Sequence, residues 1–315
     1  MRHLDTLEKI KGLKVAIIGD MMVDKTIAGG SSRMSPECPD APVIDIWQES
    51  ITPGGAANVA MNLSSLGAAV TLFTTFGKDD HAKFLVAQME RSGITIIRGS
   101  DLYTQTIQKC RVFSNERQIC RIDHNPRCNP PVCVTMGELR SFDLVILSDY
   151  GYGAITQDLV DKISGEDRTY TLVADPKPRS GIKYKGVDVI TPNEKELYEL
   201  TQDVNVFRAT EEITKSWGIG HCVTTRGSED TLVCFNSSIT CVPPEDLGEG
   251  GCVDPCGAGD TFVAALGCAY TIHKNILLAT SFANKAAAVV VGKHGTAVVC
   301  PKDVSMRFKV GGEYQ

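Results

Sequence analysis

The feature that most constrains this chain is a recurring unit: a short apolar run that ends in polar or glycine residues, then a segment with helical spacing. KVAIIGD (14–20) is the first such run, and AVTLFTTFG, ITIIRG, LVILSD (144–149), TLVADP (171–176), VDVITPN (187–193) and HCVTTRG (221–227) repeat it. Between the early runs, GGAANVAMNLSSLG (54–67) places Ala56, Val59, Ala60 and Leu63 at helical spacing, with Gly67 as a stop. DDHAKFLVAQMERSG reads as a second helix. Strands this uniformly apolar need cover on both faces. The alternation therefore predicts an α/β fold with a central, mainly parallel sheet flanked by helices. A chain of 315 residues that is 43% hydrophobic can close one such core, so a single domain over 1–315 is expected.

Two stretches interrupt the alternation. Residues 24–52 are rich in Gly, Ser and Pro and contain APVIDIWQESI, which alternates partly as an exposed strand would. Residues 104–123, TQTIQKCRVFSNERQICRID, read as a hairpin turning near Ser114 and Asn115. Together they predict a small separate sheet over one end of the core.

Composition narrows the function. The formal net charge is −6, and Lys and Arg are scattered rather than clustered. That argues against nucleic acid or an anionic membrane surface as the main partner, yet leaves room for a local small-anion pocket. The N-terminal MRHLDTLEKIKGLK does not read as a secretory signal, and no apolar run approaches the ~18–20 residues that span a bilayer. The twelve cysteines contain no C-x-x-C pair, which suits reduced thiols in the cytoplasm. The six histidines show no metal-ligand spacing, and no G-x-S-x-G or Cys–His arrangement stands out. Hydrolase and metal-site readings are weak.

In open parallel sheets, ligands bind beyond the carboxyl ends of the strands. Asp20, Asp149, Asp175, Asn193 and Arg226 all fall there. The stretch VDPCGAGDTF (253–262) adds a glycine-bracketed turn directly before an apolar helix. A helix N-terminus carries unpaired N–H groups and partial positive charge, so the amides of Gly257, Ala258 and Gly259 would form an anion site. Asp260 would sit in the first turn beside that anion, placed to take a proton from an attacking hydroxyl. The plainer alternative is that Asp254 or Asp260 only caps the helix. The spacing is neither G-x-G-x-x-G nor a Walker A loop, which disfavours a Rossmann cofactor or a P-loop. TPNEKEL sets Asn193 and Glu196 three apart at a helix start, where they would hold magnesium through its waters or simply cap the helix. PGGAANVA offers Gly54, Gly55 and Asn58 for the hydroxyls of a polar ligand, or for tight packing. Lys109 and Arg111 are two apart on a strand and share a face, suited to a phosphate or to a solvated edge.

This spaced set resembles the ribokinase-like (PfkB) family of sugar kinases over nearly the whole chain. GD after the first strand, PGGAANVAMNLSSLGA, SDYG, DPK, TPNEKE, TTRG, DPCGAGDTF and FANKAAAVVVGKHGT follow the family's order. The resemblance implies a ribokinase-like α/β domain with a small β-sheet lid. It also implies ATP- and magnesium-dependent phosphorylation of a sugar hydroxyl, and a homodimer formed through the lid. It leaves open a monovalent cation near Asp254. Within the family, GDMMVDKTIAGGSSRMSPECPDAPV, QKCRVFSNERQICRID and LVILSDYGYGAI are similar to the D-glycero-β-D-manno-heptose-7-phosphate 1-kinases of ADP-heptose and lipopolysaccharide core synthesis.

By this resemblance Asp260 is the base and the 257–259 amides cradle the transferred phosphoryl group. Lys177, Asn193, Thr225 and Gly227 neighbour the ATP phosphates and ribose, and Asn284 and Gly295 flank the adenine side. Asp20, Gly54, Gly55, Asn58 and Asp149 hold the sugar hydroxyls, while Lys109, Arg111 and Arg33 hold its phosphate. The chain departs from the family pattern at Pro255–Cys256, where Thr or Ser is usual, and at Tyr152, where relatives often carry lysine. Those departures keep two alternatives open: a kinase of another sugar, such as ribose, fructose or fructose 6-phosphate, and an inactive sugar-binding relative.

Overall fold

In the computed structural model, which describes residues 2–99, 105–115, 117–124, 129–235, 237–247, 251–293 and 295–310, each apolar run above contributes a strand. Residues 104 and 116 of the expected second lid segment, and Cys128, lie outside the described residues. The strands are β1 (Lys14–Met34), β2 (Pro42–Gly55), β3 (Ala69–Thr75), β4 (Thr95–Arg98), β5 (Ile107–Ser114), β6 (Arg117–His124), β7 (Leu144–Ser148), β8 (Thr171–Asp175), β9 (Val189–Ile190), β10 (His221–Thr224), β11 (Thr231–Phe235) and β12 (Ser238–Val242). The helices are α1 (Arg2–Ile10), α2 (Ala56–Leu66), α3 (Asp80–Arg91), α4 (Met136–Leu139), α5 (Gln157–Ile163), α6 (Glu194–Thr201), α7 (Val206–Ser216), α8 (Ala258–His273), α9 (Ile276–Val291) and α10 (Pro301–Val310).

The central sheet runs β12-β11-β10-β9-β8-β7-β1-β3-β4. It is parallel from β4 to β10, and only β11 and β12 at one edge are antiparallel. Its strands feed two cores by simple alternation. Val15 and Ile17 of β1, with Leu144 and Ile146 of β7, pack on α1, α2, α8 and α9. Ala16 and Ile18, with Val145 and Leu147, pack on α5, α6 and α7. Each fully buried Leu, Ile or Val contributes roughly 1.5–3 kcal/mol, so both faces of every inner strand favour the same register. Among the described residues, no helix is long and apolar enough to cross a membrane.

The small sheet grows out of the central one. β1 does not stop at Asp20 as the apolar run suggests but runs on to Met34, 21 residues in all. Its second half pairs antiparallel with β2, from Met21 opposite Gly55 to Met34 opposite Pro42. The same half pairs in parallel with β5, which turns back antiparallel into β6. Gly29 and Gly30, within the Gly- and Ser-rich stretch, serve close approach. A Cβ on Gly29 would lie 2.5 Å from the Asp45 carbonyl oxygen, and one on Gly30 would lie 2.7 Å from the Trp47 ring. Strand β6 is exposed along its length, and β2 carries exposed Ile46 and Trp47.

Candidate active site

The 253–257 turn enters α8 through Gly257, whose φ is +79°. A side chain there is strained by the backbone, and its Cβ would sit 2.8 Å from Nδ2 of Asn58. Asp254 fixes the turn from below. Its Oδ1 accepts from the Cys256 amide at 2.9 Å, and its Oδ2 accepts from the Gly295 amide at 2.9 Å. The loop after α9 is thereby tied to the start of α8. Of the three expected phosphate-cradling positions, Gly257 and Gly259 line a cavity in front of the helix. The Ala258 amide is instead committed to the carbonyl of Pro255.

Asp260 lies in the first turn of α8, 7% exposed, with both carboxylate oxygens held. Oδ1 accepts from the hydroxyl of Tyr150 at 2.6 Å, and Oδ2 accepts from Nδ2 of Asn58 at 2.8 Å. Asn58 is itself braced. Asn62 donates from Nδ2 to the Asn58 carbonyl, and accepts at Oδ1 from Thr261 and from the Val299 amide. Burial raises the pKa of Asp260, while the hydrogen bonds from Tyr150 and Asn58 pull it back down. The result is a desolvated carboxylate of defined orientation facing a cavity of about 120 Å³.

The far wall of that cavity comes from β8 and α6. Asn193 and Glu196 form a capping box on α6: Oδ1 of Asn193 accepts from the Glu196 amide, and Oε2 of Glu196 accepts from the Asn193 amide. The other Glu196 oxygen pairs with Lys177. Burial works against the Lys177 charge, but Asp175 and Glu196 outweigh it and raise the lysine's pKa above its usual range. Burial raises the pKa of Asp175, which faces the same cavity. Thr225 bridges to Asn193 and shares the wall. Beyond it opens a groove of about 520 Å³ lined by Tyr198, Arg226 and Gly227.

Among the described residues, no group of three or more His, Cys, Asp and Glu is placed to cage a metal. Glu196 is already held by Lys177 and by the Asn193 amide. The donor set fits a hydrated divalent cation met through its own waters, not one gripped directly.

The small sheet closes the remaining side. Lys109 and Arg111 do share a face, as their spacing requires, and both point at the site. Nζ of Lys109 lies 4.5 Å from the centre of the Tyr150 ring. Burial lowers the Lys109 pKa, opposed by Asp24 and Asp260. Arg111 donates to Asp24 at 2.9 Å, and Asp24 also accepts from Thr296. Gly54 leaves room for that Asp24 carboxylate, and Gly55 caps α2.

Several expected positions already have partners within the protein. Asp20 is wholly buried and accepts from the amides of Tyr150, Tyr152 and Ala154, so it shapes the 149–154 loop and presents no oxygen to a sugar. Asp149 is nearly wholly buried and accepts from the Gly151 amide at 2.7 Å and from the Tyr184 hydroxyl at 2.5 Å. Asn58 spends its amide on Asp260. Arg33 lies exposed near the far end of β1, 3.7 Å from Asp45 and away from the cavity. The Asn284 amide is satisfied by Thr231 and by the Pro243 carbonyl. Tyr152 does not leave its loop without a cation, because the Arg179 guanidinium stacks 3.9 Å above its ring.

Asp24 and Tyr150 are the site residues that sequence reasoning missed. Asp24 carries a signal, a second carboxylate inside the apolar strand GDMMVD. Tyr150 carries none beyond its place after Ser148–Asp149, since its partner lies 110 residues away.

Comparison with known proteins gives the family and the fold. The family described as pfkB family carbohydrate kinase matches residues 13–303. The bifunctional protein HldE of Pseudomonas entomophila is 32% identical over 90% of this chain and 61% of its own length. HldE of Azorhizobium caulinodans is 35% identical over 90% of this chain and 62% of its own. The chain thus spans about three fifths of the curated relatives it matches. Among solved structures, ribokinase from Thermotoga maritima superimposes with a TM-score of 0.76 at 21% identity, covering 94% of this chain and 99% of that one. Phosphofructokinase-2 from Escherichia coli, in complex with substrates and products, gives 0.75 at 16% identity, covering 95% and 99%. These likenesses establish the ribokinase fold. The family match, over nearly the full length and with Asp260 at the head of α8, places the chain in the pfkB family, and it is an ATP-dependent carbohydrate kinase.

Proposed function

We propose that the chain transfers the γ-phosphoryl group of ATP to the anomeric hydroxyl of D-glycero-β-D-manno-heptose 7-phosphate, yielding the 1,7-bisphosphate. The observation that carries this reading is the pairing of a desolvated carboxylate, Asp260, with cations from both sheets around one cavity. Similarity to the HldE proteins supports the choice of a heptose phosphate.

In this reading the polyphosphate lies between Gly257, Gly259 and the Asn193–Thr225 wall, and Lys177 neutralises its charge. The nucleoside extends toward Gly227 and Gly295. Magnesium, met through water by Asn193 and Glu196, supplies charge neutralisation between the phosphates when bound. The sugar lies against Asp24, Gly54 and Gly55, and Lys109 and Arg111 receive its 7-phosphate. Asp260 accepts the anomeric proton as the oxygen attacks phosphorus in line. The small sheet serves as the lid, and its exposed Ile46 and Trp47 support pairing of two copies through that surface, in the cytoplasm.

The test is ADP release with ATP and magnesium across heptose 7-phosphate, fructose 6-phosphate, ribose and fructose. Turnover confined to the heptose phosphate is expected, and preference for any other sugar sinks the assignment. Asp260→Asn should lose roughly 10²–10⁴-fold in kcat, the usual scale for general-base catalysis.

A further inference from the structure

Among the described residues, Tyr150 is the one side chain that touches Asp260 and, through its ring, a cation from the small sheet and another from just beyond β8. Its hydroxyl donates to Oδ1 of Asp260 at 2.6 Å. Nζ of Lys109, from β5, lies 4.5 Å from the ring centre, and Nζ of Lys177, just beyond β8, lies 5.4 Å from it. Its backbone is fixed as well, because the Tyr150 amide donates to buried Asp20.

We propose that Tyr150 is a positioning residue for phosphoryl transfer. It holds the Asp260 carboxylate in the orientation that receives the sugar proton, and Lys109 and Lys177 hold the Tyr150 ring in turn. The proposal rests on the reading of Asp260 as the base.

A carboxylate offers about four acceptor sites. Tyr150 and Asn58 occupy one on each oxygen, which leaves the others open to a hydroxyl in the cavity. As transfer proceeds, the sugar O–H bond breaks toward Asp260 and a bond forms from that oxygen to the γ-phosphorus. The bond from the γ-phosphorus to the oxygen of departing ADP breaks. Tyr150 keeps its proton throughout, since burial and the Asp260 charge push its pKa well above that of an ordinary phenol. It is thus a constant donor that fixes the carboxylate without exchanging protons with it. The two cations add cation–π attraction to the ring, stronger for being desolvated. Lys109 belongs to the small sheet and Lys177 to the loop after β8, so the ring links the two sides of the cavity.

Tyr150→Phe isolates the role, because it keeps the ring and both cations and removes only the hydroxyl. The expected result is a kcat about tenfold lower, the scale of one hydrogen bond to a charged group, with the sugar KM changed less than about twofold. The acid limb of the kcat profile should move to higher pH, because a carboxylate that loses a donor is harder to ionise. In an Asp260→Asn background the same substitution should cost little more, since Tyr150 acts through that carboxylate.

An unchanged kcat and acid limb would overturn the proposal. A rise in KM alone would do so too, making Tyr150 a substrate contact, as would an undiminished tenfold loss on top of Asp260→Asn. A nearly full rate in Asp260→Asn would remove the base reading and this proposal together. An inactive Asp260→Asn with a wild-type Tyr150→Phe would remove this proposal alone. Thermal unfolding of the Phe variant within a few degrees of the parent, as expected for a retained ring, separates the kinetic loss from misfolding.

Discussion

The two walls of the site are built on opposite principles. The wall from α8 and α2 is a closed polar network in which Asp260, Asn58, Asn62 and Thr261 satisfy one another inside the core. In the wall from the small sheet, β1 and β2 are buried mainly at their ends nearest the site, and β6 is exposed along its length. Precision is concentrated where the carboxylate must not move. Tolerance is concentrated where a polar ligand must be admitted and covered.

Substitutions can break that contrast. After the loss of Asp260 itself, the largest effect is expected from Gly257→Ala on the inner wall. It adds a side chain at positive φ against Asn58 and displaces the carboxylate that Asn58 holds. A loss on the order of 10²-fold in kcat should follow, as for misplacement near 1 Å, together with about 1–3 kcal/mol of stability. Single-turnover rates and a denaturant titration would check both, and a normal rate would show that the inner wall gives.

A middle effect belongs to Arg111→Ala, which leaves Asp24 without its ion-pair partner at the junction of the two walls. KM for a phosphorylated sugar should rise more than tenfold while that for a free sugar changes little, and stability should fall by about 1–3 kcal/mol. Equal KM changes for both sugars would take the phosphate role away from Arg111. The smallest effect should come from Trp47→Ser on the outer wall, within about 0.5 kcal/mol of the parent in monomer stability. Sedimentation should nonetheless show weaker self-association. A variant that sediments as the parent does would mean that this face pairs with nothing.

The same contrast governs what was legible in the sequence. Strands β7, β8 and β10, helix α2 with its Gly67 stop, and the turn into α8 are written in local patterns, and local patterns survive folding. The capping box at Asn193 and Glu196 was equally visible, although its two readings were not separable: the pair caps α6 and also walls the cavity. Carboxylate direction was not legible. Asp20, Asp24 and Asp149 all sit near strand ends, yet Asp20 and Asp149 turn inward to amides and hydroxyls while Asp24 turns to Arg111. The partners that decide such questions lie 35 to 132 residues away. Strand length was also hidden, because a Gly-rich stretch carries no strand signal until the carbonyl of Asp45 and the ring of Trp47 are placed against Gly29 and Gly30.

That long strand has a mechanical consequence. β1 enters the small sheet without a loop, and its register with β2 is regular from Met21 to Ala28, slipping only between Ala28 and Gly29 and again between Gly30 and Arg33. The compliant points therefore lie at the outer rim, while the stretch beside the site is stiff. A load applied to the rim travels inward as torsion along one polypeptide. Asp20 and Asp24 both lie on that strand, so one continuous run of backbone joins the loop that carries Tyr150 to the ion pair with Arg111.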